Sequence, residues 1–308
     1  MSKIRRIHSI RKEIDSAQEI VQFFSGICEG SLVTVCAEPT LLNASDGPAV
    51  VTENAEGASP FLIVCDHASN RIPASLGTLG LETEVLESHV AWDPGAYAVT
   101  VRLARQLDAP LVSSGFSRLV YDVNRPIESP DATRSVSEIY DIPGNHDLGE
   151  AAREARAQAL YHPFHDEIAA LISARGSRGQ PTVLVTLHSF NPVYNGKARD
   201  VELGILHDAD SRFADCMLLA AAGLTKLKTG RNQPYGPEDG VTHTLVKHAI
   251  HRGLLNVMIE IRNDLIREPG DQANMADMVA NMLRHAFEAA RVGAVEPLEP
   301  GGRDAPGD

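Results

Sequence analysis

The chain has 308 residues and is 43% hydrophobic, enough to build one large α/β domain or two ordinary ones. A formal net charge of −13 argues against non-specific nucleic-acid binding, whose affinity comes from phosphate neutralisation, yet a few arginines can still make a local pocket for a small anion. No apolar run approaches the ~20 residues of a membrane helix, and the basic start MSKIRRIHSIRKEID lacks the apolar stretch of a secretory signal. Cys28, Cys36, Cys65 and Cys216 form no CxxC pair and read as free thiols of a reducing compartment. The expectation is a cytoplasmic protein with neither nucleic-acid nor membrane partner. Oligomeric state is not legible.

In chain order, residues 1–57 combine a helix candidate from Glu13 to Phe24 with SDGPAVVTENAEGASP, rich in turn and solvating residues, and read as a loosely attached extension. Residues 58–292 alternate strand-like and helix-like segments. The strand candidates are PFLIVCD, APLVSSG, RLVYDV, PTVLVTLH, VELGILHD and LNVMIEIR. The helix candidates are His89 to Leu107, Glu150 to Ala174, Ser211 to Ala222, Thr242 to Arg252 and Gln272 to Arg291. PTVLVTLH and LNVMIEIR are almost continuously apolar, as strands buried on both faces are. The alternation predicts an α/β layered sheet flanked by helices. Residues 293–308, with VEPLEPGGRDAPGD, have the composition of a disordered tail.

In such a sheet, ligands bind beyond the carboxyl ends of the strands. Here those ends are polar: FLIVCD runs into His67, VLVTL into His188, LNVMIE reaches Glu260 followed by Arg262, and RLVYDV ends at Asn124-Arg125. Each histidine reads either as a structural group or as a ligand. Two imidazoles plus an oxygen donor suit a zinc ion with one open position, and a nearby glutamate can take a proton from water there. Arginine offers a planar fork for a carboxylate. Glu260 inside an apolar run needs a partner, and Arg262, on the same strand face at i+2, is the structural alternative to a catalytic role. His162 with His165, His207 with Asp208, His248 with His251 and the run Asn145-His146-Asp147 read as structural or solvated groups. Ser69 and Ser189 lack a GxSxG context, and neither a P-loop nor GxGxxG occurs.

The segments CDHASNRIP, HVAWDPGA, SRLVYDVNRP, TLHSFNP, NQPYGPEDGVTHTL and EIRNDL, in that order over roughly residues 60–290, resemble the N-formylglutamate amidohydrolase family. That family is similar in turn to zinc carboxypeptidases and aspartoacylases, which implies a zinc-carboxypeptidase-like layered fold. The resemblance implies that one zinc ion is held by His67 and His188, that Glu260 is the base, and that Asn124-Arg125 binds a substrate carboxylate. Arg262 joins that clamp, with Arg118 and Tyr235 as further pocket residues. The sequence departs from the wider superfamily at Asn70, an amide where a carboxylate ligand stands. Asp93 is the candidate for the missing oxygen ligand; as a residue followed by proline it reads equally as a helix N-cap.

The expected activity is hydrolysis of N-formyl-L-glutamate, or a related small anionic N-acyl amino acid, by a zinc-activated water. A side-chain carboxylate would need a second cationic clamp, for which Arg262 and Arg231 are the candidates. Two other readings stand beside it: a metallocarboxypeptidase, and a non-catalytic carboxylate-binding or regulatory protein on a decayed hydrolase scaffold, which Asn70 motivates and Glu260 opposes.

Overall fold

Seven strands form one mixed sheet: β1 (Val50–Glu53), β2 (Phe61–Cys65), β3 (Leu111–Ser114), β4 (Val183–Phe190), β5 (Leu203–Leu206), β6 (Thr229–Arg231) and β7 (Leu255–Arg262). The structure is a computed structural model, and it describes residues 41–293. The helix expected between Glu13 and Phe24 and all but the first residue of the expected tail lie outside the described residues.

The spatial order is β1-β3-β2-β4-β7-β5-β6. The four central strands, β3, β2, β4 and β7, run parallel, so their carboxyl ends share one edge. β1 joins antiparallel at one side, and β5 pairs antiparallel with β7 at the other. Every residue of β2 and β4 is buried, as their continuous apolar sequences demand of strands covered on both faces.

Helices cover both faces. On one side α1 (Ala96–Leu107), α4 (Arg212–Leu224) and α6 (Pro269–Val292) pack against Phe61, Ile63, Val185, Leu187, Val257 and Ile259. The other face, with Leu62, Val64, Leu184 and Met258, meets α3 (His162–Ser177) and the short α5 (His243–His248). The alternate residues of each strand therefore serve opposite layers. A third apolar cluster, including Leu79, Val90, Phe116, Leu119, Tyr121 and Ile142, is built from connecting segments. Buried Arg156, at the end of α2 (Glu150–Arg156), donates to the carbonyls of Val120 and Gly144 and so staples that cluster.

The structure departs from the sequence expectations in four places. RLVYDV is largely buried but is not a strand. Its backbone bonds run within connecting segments, with Val120 N–H donating to Ser117 and Asp122 N–H to Ala132, so Leu119, Val120 and Tyr121 fill the third cluster while Val123 packs with the residues of the second sheet face. The helix expected from His89 begins only at Ala96, because Pro94 and Gly95 intervene. Gly95 sits at φ 80°, and a Cβ there would stand 2.5 Å from the Ile266 carbonyl, so glycine is required. The helix expected from Glu150 passes through a wide turn over Ala157–Tyr161 just before Pro163, which brings no N–H to the helical ladder. Finally, Val50–Glu53, within the segment read as an extension, forms an edge strand.

Candidate active site

The carboxyl edge of the parallel strands gathers the polar residues. His188 lies inside β4, and the β4/β7 register sets it directly opposite Glu260. His67 follows the end of β2, and Asp93 stands in the turn before α1, its backbone N–H donating to the His67 carbonyl at 3.0 Å. The Nδ1 atoms of both imidazoles converge on Asp93 Oδ2, at 3.4 Å from His67 and 3.0 Å from His188. One ligand atom from each of His67, Asp93 and His188 lies within 4.8 Å of the others, and all three residues are buried, so this group could hold a metal ion. Its donor set of two imidazoles and one carboxylate is one that zinc accepts.

The outer nitrogens are also committed. His67 Nε2 donates to Asp122 Oδ1 and His188 Nε2 to Asp66 Oδ2, both at 2.9 Å. Asp66 Oδ1 in turn accepts from the Thr244 hydroxyl at 2.6 Å. Each histidine thus leans on a carboxylate behind it and presents Nδ1 to the shared point, the arrangement that fixes tautomer and ring orientation in metal sites. Burial works against ionised Asp93, but the Arg118 guanidinium and the two imidazoles outweigh it and hold its carboxyl well below the usual range. For His188, burial opposes the charged form, while its bonds to Asp66 and Asp93 lift it well above the usual imidazole value.

Asp93 is not a side-chain cap. Gly95 occupies the cap position of α1, no cap side-chain bond forms, and the Asp93 carboxylate points to His188, Arg118 and the Ser189 N–H. Asn70 faces elsewhere, donating its amide to the Leu86 carbonyl at 2.9 Å.

Glu260 stands alone in this company. It is 5% exposed, and its Oε2 has no hydrogen-bond partner. Burial pushes its carboxyl up to about 7, with His188 pulling down and Asp93 pushing up. The salt bridge to Arg262 does not form: Arg262 donates to Asp264 at 2.8 Å and to Glu202 at 3.2 Å. A carboxyl that is buried, unpaired and poised near neutrality has the acid–base properties of a general base.

The site opens into a cavity of about 270 Å³, on the scale of a small molecule. Its lining includes His67, Asp93, Arg118, Asn124, Arg125, His188, Tyr235 and Glu260; Arg262 and Asn70 are not among the lining residues. Arg118 is taken up by the site itself, donating to Asp93 Oδ1 at 2.6 Å and to the Trp92 carbonyl at 2.9 Å. The Asn124 side chain braces the fold, donating to the Val241 carbonyl and accepting from Thr244 N–H. Arg125 keeps one loose ion pair, 3.6 Å to Asp122, and donates to the Asp239 carbonyl. Arg231 is paired with Asp215 at 2.5 Å and does not line the cavity.

Sequence reasoning gave no role to Asp66, Thr244 or His89 and placed Asp122 only within the segment expected to hold substrate, whereas its carboxylate holds His67; all four touch the site. His89 lines the cavity and donates to the Ser189 carbonyl at 2.6 Å. Asp66 could have been found from its position, since a carboxylate one residue before a strand-end histidine falls beside the neighbouring strand. The others are brought in by loops. His165 and His248, read as structural or solvated, are each 2% exposed and bonded to one another at 2.7 Å. His165 Nε2 also donates to the Val123 carbonyl, which ties α3 to the segment carrying Asp122 and Asn124.

The family model for N-formylglutamate amidohydrolase matches residues 59–267. Among solved structures, a gene product of Agrobacterium tumefaciens is 55% identical, with a TM-score of 0.80, covering 82% of this chain and 99% of that one. An N-formylglutamate amidohydrolase from Ralstonia eutropha shares the fold at 17% identity and a TM-score of 0.56, covering 80% of this chain and 100% of that one. The sequence has no match among curated proteins.

Proposed function

Because the chain belongs to the N-formylglutamate amidohydrolase family, we propose that it is a zinc-dependent amidohydrolase cleaving N-formyl-L-glutamate or a related N-acyl amino acid. The observation that carries this reading is Glu260, an unpartnered buried carboxyl set in register beside His188 of a His-Asp-His group. A mere binder has no use for such a group, which costs stability. His67, His188 and Asp93 hold the zinc, and Asp122 and Asp66 keep the two imidazoles aimed. Bound there, zinc supplies Lewis acidity, polarising the acyl carbonyl and easing the deprotonation of water.

The remaining steps fall to the protein. Glu260 accepts the proton of the attacking water and returns it to the departing nitrogen, and a carboxyl raised to about 7 does both near neutral pH. Arg118 holds Asp93 ionised. Arg125 takes the substrate carboxylate, in a segment that Asn124 holds in place, and Tyr235 forms part of the wall.

The test is metal content by elemental mass spectrometry, with formate release from N-formyl-L-glutamate measured in parallel. Wild-type protein should carry about one zinc per chain, and His67→Ala should lose both metal and turnover. Glu260→Gln should keep the metal and lose turnover. Absence of metal after zinc is supplied, or turnover retained in Glu260→Gln, would overturn the reading.

A further inference from the structure

The proposed hydrolysis leaves open what the site does with the amino-acid side chain, and the inference drawn here rests on that reading. The arginines around the cavity differ in one respect. Arg118 is paired with Asp93, Arg125 with Asp122 and Arg134 with Asp131, while Arg262 and Arg231, the two candidates from sequence, are held by carboxylates outside the cavity. Arg199, which is not itself a lining residue but stacks on Tyr194 and Tyr235, which are, has no carboxylate within ion-pair distance among the described residues.

Its guanidinium is nonetheless held in place. The central carbon stands 4.5 Å from the Tyr194 ring centre and 4.6 Å from that of Tyr235, and both tyrosines line the cavity. A third ring, Phe190, lies at 5.6 Å. Two hydrogen bonds add to this, to the Tyr235 hydroxyl at 2.9 Å and to the Asn191 carbonyl at 3.4 Å, and both use Nη1. Nε and Nη2 have no protein acceptor among the described residues. A guanidinium stacked on aromatic faces keeps its in-plane donors free, and one edge of the fork is left for a carboxylate.

The placement suits a side-chain group. Arg199 follows a small hairpin, Val193–Tyr194 paired with Lys197–Ala198, whose Tyr194 forms part of the cavity wall. Glu138, at the turn of a second hairpin, also lines the cavity. Its carboxyl is depressed chiefly by His89, whose Nδ1 stands 3.8 Å from Oε1, with Arg118 and Arg199 adding their charge. Glu138 repels a carboxylate bound on its own side of the cavity.

We propose that Arg199 is a specificity-determining residue that receives the side-chain carboxylate of the substrate, so that the site selects N-acyl amino acids with an acidic side chain. Arg125 then takes the α-carboxylate, and Tyr194 and Tyr235 hold Arg199 ready.

N-formyl-L-glutamate and its neutral isostere N-formyl-L-glutamine provide the test. The ratio of kcat/KM between them is measured for wild type, Arg199→Gln, Arg199→Lys and Arg134→Gln, with zinc content and melting temperature confirming that each variant is folded. The wild type should prefer the glutamate compound, Arg199→Gln should cut that preference about 10- to 100-fold, mainly through KM, and Arg199→Lys should restore part of it. Calorimetric titration of both compounds into zinc-loaded Glu260→Gln protein, with and without Arg199→Gln, reads the same preference without turnover. Failure of all hydrolysis would overturn the proposed reaction, while an Arg199-dependent difference in binding would still support this subsite. No wild-type preference, a preference that survives Arg199→Gln, or one erased by Arg134→Gln instead would overturn the assignment.

Discussion

Two pairs of buried histidines stand with ring centres 5.0 Å apart, His67 with His188 at the strand ends and His165 with His248 between α3 and α5. Their chemistry is opposite. The first pair is ringed by Asp66, Asp93 and Asp122, and both imidazoles are raised above their ordinary value because those carboxylates outweigh burial. The second has no carboxylate bonded to it: burial first, then the neighbouring imidazoles, push His165 down to about 2, and burial first, then Arg252 and Lys247, push His248 down to about 3. The neutral pair acts as a brace, because Val123 O can only accept, which makes His165 Nδ1 an acceptor for His248 Nε2–H. The side chain is the same in both places, and the ionic surroundings decide between a pair held by carboxylates and a neutral strut.

The sharpest way to break this comparison is to truncate one member of each pair. His188→Ala should abolish metal retention and reduce turnover by at least about 1,000-fold, whereas His165→Leu should retain zinc and instead cost about 1–3 kcal/mol of stability from the orphaned Val123 and His248 groups. Metal content and denaturant melts on the two variants check this. If both lose metal equally, the division into ligand and strut is wrong.

Glu260→Gln comes next in size, with an expected loss of about 100- to 10,000-fold in kcat. It should also stabilise the chelator-treated protein. Folding raises the carboxyl from 4.5 to about 7, so ionised Glu260 destabilises the fold progressively between those values. At pH 8 the variant should be more stable by about 2–3 kcal/mol, and at pH 5 the difference should shrink below about 1 kcal/mol. Melting curves at the two pH values decide it.

The outer carboxylates should have an intermediate effect. Asp122→Asn or Asp66→Asn should weaken zinc binding about 10- to 100-fold, read by competition with a chelating dye, because the imidazoles lose the partners that aim them. The smallest effect concerns acid stability. His165 and His248 stay neutral in the fold while the unfolded chain takes up protons below 6.5, so their contribution is complete above that pH and falls as pH drops toward 3. The slope is at most about 1.4 kcal/mol per pH unit for each imidazole. His248→Gln, which keeps a donor to His165, should flatten the slope with little change at neutral pH.

Much of the fold was legible because local pattern and tertiary role agreed. The continuous apolar runs of β4 and β7 could only be buried strands, and the alternation with amphipathic helices required a layered sheet. RLVYDV shows where that logic ends: an apolar run records burial, and loops bury side chains as well as strands do. At the site, His67, His188 and Glu260 were readable because a polar residue at the end of an apolar strand has few places to go. The register that sets Glu260 against His188 is a property of strand pairing, to which neither segment alone testifies.

The sequence by itself determined the layered α/β architecture, the polar carboxyl edge and the residue types gathered there. Only the tertiary structure decided that Asp93 turns away from the helix it precedes toward two imidazoles, that Arg262 is already engaged, and that Arg199 is held on two tyrosines without a carboxylate. The physical reason is common to all three. A side chain's charge and geometry are local, but its partners come from segments distant in sequence, and the partners determine whether a charge is spent within the fold or left available to a ligand.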